Sequence, residues 1–143
     1  MDYSASITVA ADPQSAAQAI RKEMHIWWSN RVELNGEGAT IRFNNSHATF
    51  AFDPEDTALL FEWPCTDAHM IIEDVEDAAE WLGTALVWSV EPSGTGSQIT
   101  LTHRGLNQTL ACLDVCTRGW EHFFEGSLRN HLNGQPATPE TST

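Results

Sequence analysis

His103, Cys112 and Cys116 are the residues of this 143-residue chain whose types and spacing could do chemistry. His103 follows Ile99 and Leu101 at every second position, so strand alternation turns it inward with them. An imidazole there, titrating near neutrality, can serve as acid or base. A cyclase- or hydrolase-like reaction is the enzyme chemistry open to it. The structural alternative is that His103-Arg104-Gly105 closes a strand, where a histidine can hydrogen-bond backbone groups and fix the turn. Cys112 and Cys116 stand four apart on one helical face and could share a metal with His103, but without a C-x2-C spacing they supply half a site. No metal and no cofactor is expected. Cys65 brings the thiols to three, an odd number that speaks for free cysteines over a disulfide framework. The sequence has no Ser-His-Asp order, G-x-S-x-G, H-E-x-x-H or phosphate loop, so covalent hydrolysis, zinc proteolysis and nucleotide hydrolysis have no support.

A second constellation is apolar. Trp28, Phe43, Phe52, Trp63 and Trp88, with Trp120 and Phe123, are large aromatics at inward-facing positions. Joined by His103, Cys116 and Gly119, they could wall a site for a small apolar or amphipathic molecule. They could equally be plain core, because burying such rings at about 1.5–3 kcal/mol each is needed to offset chain entropy.

Several of these residues fall in "CLDVCTRGWEHFFEGSLRNHLNG", Cys112 to Gly134, which the helical period reads as one long helix. Leu106, Leu110, Leu113, Thr117, Trp120, Phe124 and Leu128 form one stripe. Cys112, Cys116, Gly119, Phe123 and Ser127 form a second beside it. Asp114, Arg118, Glu121, His122, Glu125 and Arg129 make the water face, with Asp114/Arg118 and Glu125/Arg129 at the favourable i,i+4 spacing. An apolar arc this wide implies a surface curved around the helix, which a strongly twisted sheet supplies. Glycine in a helix interior costs about 1 kcal/mol relative to alanine. Gly119 therefore needs a local reason, either close approach of the sheet backbone or an unfilled volume beside the helix. The sequence does not separate the two.

The elements that must position these residues follow from periodicity. Ala5, Ile7 and Val9 alternate up to Asp12-Pro13, a strand followed by an N-cap and a proline-led helix. "QSAAQAIRKEM" and "HIWWSN" make a helical pair ending near Asn30. From Arg31 to His103 the period is two, with Gly36, Gly38, Asn44-Asn45, Asp53-Pro54 and Pro92 to Gly96 as turn signals. The inward sets are Ala39, Ile41 and Phe43; Ala48, Phe50 and Phe52; Leu59, Phe61 and Trp63; Leu86, Trp88 and Val90; and Ile99, Leu101 and His103. His69 to Ile72 reads as strand, while "EDVEDAAE" could be a solvated loop or a short helical turn. The expected organisation is one domain over residues 1–136 with a disordered tail over 137–143.

Twenty acidic against seven basic residues give a net charge of -13, a sign that repels phosphate backbones and anionic lipid. Nucleic acid and membrane-surface partners are not expected. No stretch approaches the ~20 apolar residues of a membrane span, and the N-terminus lacks a signal-peptide pattern. A cytoplasmic protein without membrane insertion is expected. The acidic segment Glu73 to Glu80 could serve a homodimer or a chaperone contact, but a solvated loop is the preferred reading.

The order of strand, two short helices, antiparallel strands and long C-terminal helix resembles the helix-grip fold of the START/Bet v 1-like superfamily. That fold is α+β, a curved antiparallel sheet wrapped around the C-terminal helix. The elements "WW" (Trp27, Trp28), "EWLGT" (Glu80 to Thr84), "LTHRGL" (Leu101 to Leu106), "CLDVCTRGW" and "GSLRNHLNGQP" resemble, in order and spacing, the branch grouped with the C-terminal domain of the activator of heat-shock-protein ATPase. The resemblance runs from about Tyr3 to Pro136. It implies a cavity between sheet and helix used for lipids, polyketides or other apolar small molecules. It does not imply chaperone stimulation, because the chain has no length for the additional N-terminal domain of such a co-chaperone.

Overall fold

The computed structural model describes residues 2–52 and 59–141; the expected Asp53-Pro54 turn lies outside them. Strand β1 (Tyr3–Val9) buries Ile7 and Val9, as its alternation requires. Pro13 then opens α1 (Pro13–Lys22) behind Asp12, its fixed φ suiting a first helical turn. A short α2 (Met24–Trp27) completes the pair. Trp27 is fixed across the break by its indole Nε1–H, which donates to the Ala19 carbonyl at 2.9 Å.

The sheet follows as β2 (Arg31–Leu34), β3 (Gly38–Phe43), β4 (Ser46–Ala51), β5 (Leu60–His69), β6 (Ala85–Ser93) and β7 (Gly96–Arg104). It is antiparallel and seven-stranded in the order β1-β7-β6-β5-β4-β3-β2, so the first strand returns to pair with the last. Two-residue hairpins join β3 to β4 and β6 to β7, with Asn44 (φ 53°) and Gly94 (φ 58°) taking positive φ at the first loop position. Neighbouring backbone closes in at the start of β7, where a Cβ on Gly96 would collide with the Val9 carbonyl oxygen. The expected inward sets are buried or half-buried throughout. Beyond β5, Met70 to Glu80 is turn and coil.

The C-terminal rod is not uniform. Helix α3 (Leu113–His122) passes into a π-helical segment, Phe123–Leu128, and then α4 (Arg129–Leu132). A straight 100° wheel does not hold through that segment, because each π turn takes in an extra residue. Phe124, Ser127 and Leu128 are buried along this segment, and Ser127 Oγ donates to the Trp27 carbonyl at 2.6 Å. On the water face Asp114 and Arg118 pair at 2.9 Å, while Glu125 accepts the Tyr3 hydroxyl at 2.9 Å.

Two expectations are corrected here. Glu80 is no solvated charge: its carboxylate accepts the Ala111 and Cys112 N–H groups at 2.8 and 2.9 Å, capping the start of α3 from a distant loop. Residues 137–141, expected as part of a disordered tail, lie back on the domain. Thr138 N–H donates to Ser127 Oγ, Glu140 N–H to the Trp28 carbonyl, and Asn30 N–H to the Glu140 carbonyl. The polar composition hid this because the contacts are made by backbone groups, which composition does not report.

Candidate functional site

Helix α3 leans on the sheet along Trp120, but its neighbouring face does not close. Between that face, β3 and the segment after β5 lies a cavity of about 190 Å³, open on one side. Trp28, Phe43, Cys116, Gly119, Trp120 and Phe123 line it, as do Met70, Ile72, Trp81, Val115 and Glu140. A Cβ built on Gly119 meets nothing within 4 Å, so unfilled volume, not close approach of the sheet, accompanies this glycine. The floor is a ring assembly. Trp120 lies 5.1 Å from Trp28 and 6.1 Å from Trp81, the latter nearly parallel, and Phe43 lies 6.1 Å from Phe123.

The remaining expected wall residues lie elsewhere. Phe52, Trp63 and Trp88 are absent from the lining; Trp63 stands 4.9 Å from Phe52 and 5.6 Å from Trp88. Trp88 packs edge-on to Trp27 and Phe124, so α2 and the π segment fill that half of the grip. Alternation assigned these residues to the correct face, but it does not report position along the curve.

His103 is fully buried and does not line the cavity. Trp120 Nε1–H donates to its Nδ1 at 3.0 Å, and its Nε2 stands 2.9 Å from Thr84 Oγ1. Thr84 in turn donates to the Trp81 carbonyl at 2.7 Å. This one-way chain leaves the Thr84 hydroxyl as acceptor for an Nε2–H, which specifies the neutral tautomer. Burial drives the imidazole pKa down to about 3, against a weaker opposing pull from Asp2. The group expected as acid–base candidate is thus a neutral strut. It binds side chains rather than the turn backbone.

Cys112 and Cys116 are free and buried, and Trp81 Nε1–H donates to Cys116 Sγ at 3.3 Å. A hydrogen bond to Cys116, helped by burial, holds the Cys112 thiol well above its ordinary pKa, and Cys116, receiving it, is lowered. Burial pushes Cys65 up to about 11. Among the described residues no cluster of three or more His, Cys, Asp or Glu side chains could hold a metal ion.

Sequence reasoning missed Met70, Ile72, Trp81, Val115 and Glu140. A signal existed for Met70 and Ile72, since the period of two continues from Ala68 past the end of β5. Trp81 sits in a turn, where neither period applies. Val115 is 43% exposed and belongs to the polar side of the wheel. Glu140 arrives through the folded-back terminus.

The sheet order, its curvature and the enclosed helix define an α+β helix-grip fold. Solved structures share it. Aha1 from Colwellia psychrerythraea, solved in solution as a dimer, matches with a TM-score of 0.73 at 20% identity over 93% of this chain and 96% of its own. Ara h 8.0201 matches at 0.57 with 14% identity over 92% of this chain and 97% of its own. DynU16, of the dynemicin biosynthetic locus, matches at 0.64 with 12% identity over 96% of this chain, which spans 49% of that protein. No family model and no curated protein matches the sequence. Among the described residues no helix is long and apolar enough to cross a membrane.

Proposed function

We propose that the protein binds a small apolar molecule, of about the bulk of a substituted benzene ring, in the cavity beside α3. The observation that carries this is the empty space at Gly119, where an added methyl would touch nothing within 4 Å. Alanine there would favour the helix by about 1 kcal/mol, so the glycine forgoes stability and leaves room. Size supports a compact guest. An apolar hole of roughly 150 Å³ holds benzene, whereas drug-sized ligands use about 300–1,000 Å³. At about 190 Å³ the cavity suits one ring and a few further atoms. A lipid or a multi-ring polyketide would leave most of its bulk outside.

His103 lends no support to a cyclase or hydrolase reading, because both ring nitrogens have partners and the ring stands outside the lining. The dimeric Colwellia protein lends support to a homodimer.

The test is a melting-temperature titration with toluene, phenol, benzyl alcohol and indole. The expected result is stabilisation that grows with concentration. Gly119→Leu, which fills the cavity with a better helix former, should abolish the response without lowering the ligand-free melting temperature. A flat response from the unmodified protein, or an undiminished one from the variant, overturns the proposal.

A further inference from the structure

The polar end of the guest is specified by what the cavity offers. Among the described residues the lining contains no lysine, arginine, histidine, serine, threonine or side-chain amide. Two of its indole N–H groups are committed, Trp120 to His103 Nδ1 and Trp81 to Cys116 Sγ. A carboxylate or phosphate entering here would lose its water and meet neither a cation nor one of those donors, a costly exchange. The same lining is rich in groups that favour positive charge. Trp28, Trp81 and Trp120 present aromatic rings, whose faces attract ammonium groups. Glu140, an acidic residue, also lines the cavity, its backbone held on both sides by Trp28 and Asn30.

The surrounding field has the same sign. The loop that leaves Ile72 continues through Glu73, Asp74, Glu76 and Asp77, and the whole chain carries -13. Such a field raises the local concentration of cations and depletes anions.

We infer that the cavity takes an arylalkylamine in its ammonium form, with the ring against the tryptophans and the cation at Glu140. This rests on the binding function proposed above. The experiment compares three near-isosteres by calorimetry, phenethylamine, 2-phenylethanol and phenylacetate, with the unmodified protein, Glu140→Gln and Gly119→Leu. Phenethylamine should bind at least about tenfold tighter than the alcohol at low salt, and phenylacetate more weakly than either. Raising NaCl from about 20 to about 500 mM should shrink the amine's advantage and leave the alcohol unaffected. Glu140→Gln should bring the amine to within about threefold of the alcohol, the size expected once the paired charge is lost. Alcohol binding without an amine preference overturns the inference and leaves the binding function standing. A preference that Glu140→Gln does not touch overturns the assignment to that carboxylate. If none of the three binds, the binding function fails and this inference with it.

Discussion

His103 lies edge-on to Trp81 at 4.7 Å and to Trp120 at 5.9 Å, so protonating it would put a charge inside an aromatic layer with both hydrogen-bonding positions already assigned. The folded-state pKa of about 3 lies below the ordinary 6.5. Between those values the unfolded chain binds a proton that the native state refuses. The stabilisation from this neutral imidazole is therefore complete above about pH 6.5 and is lost as pH falls toward 3, by up to about 1.4 kcal/mol per pH unit. His103→Gln keeps an acceptor and a donor but cannot titrate. Urea unfolding at pH 7, 6 and 5 should show the stability gap between the two proteins narrowing with acid, the other histidines cancelling in the difference. Parallel stabilities across that range would show that His103 is not held neutral. Period-two alternation made the inward direction of this residue legible. It could not reveal the tryptophan on one side and the threonine on the other, because both come from segments distant in sequence.

Helix α3 begins where the distant Glu80 carboxylate meets two N–H groups that have no helical partner, and where the positive end of the helix dipole adds attraction. Its first turns carry Val115, Cys116 and Gly119, so the cap also anchors one wall of the cavity. Removing it with Glu80→Ala should cost about 1 kcal/mol, and Glu80→Gln, which retains an acceptor without the charge, less. Denaturant midpoints with an unchanged slope would register this; midpoints equal to that of the unmodified protein would mean that the contact contributes nothing. The strands were legible because each has one buried face, and the apolar arc of the C-terminal rod was legible for the same reason. The π turn at Phe123–Leu128 was not, since its buried residues Phe124, Ser127 and Leu128 also share one face of a regular wheel and their types carry no sign of the extra residue. The Glu80 cap was equally hidden, because an acidic run carries no sign of which carboxylate will find a helix end.

At the scale of the whole molecule the helix-grip architecture and the charge act in different ways. The fold was legible from element order and the width of the helix stripe, whereas the cavity's extent depends on where a curved sheet stops following its helix. Charge is legible at once: twenty acidic and seven basic residues leave a net -13 on a small surface. Pairs such as Arg104–Glu62 and Arg118–Asp114 lie at the surface, where each contributes little. Repulsion among the excess carboxylates therefore outweighs attraction, and screening should relieve it. Because the screening length falls from about 30 Å at 0.01 M to about 3 Å at 1 M salt, NaCl should raise unfolding stability by an amount on the order of 1 kcal/mol, most of it gained by a few tenths molar. The same salt should weaken phenethylamine binding, since one field both strains the folded chain and draws the cation. Urea midpoints and calorimetric affinities measured across one NaCl series should thus move in opposite directions. If stability falls as salt is added, attractive pairs dominate the surface, and the field invoked for the ammonium group is not there.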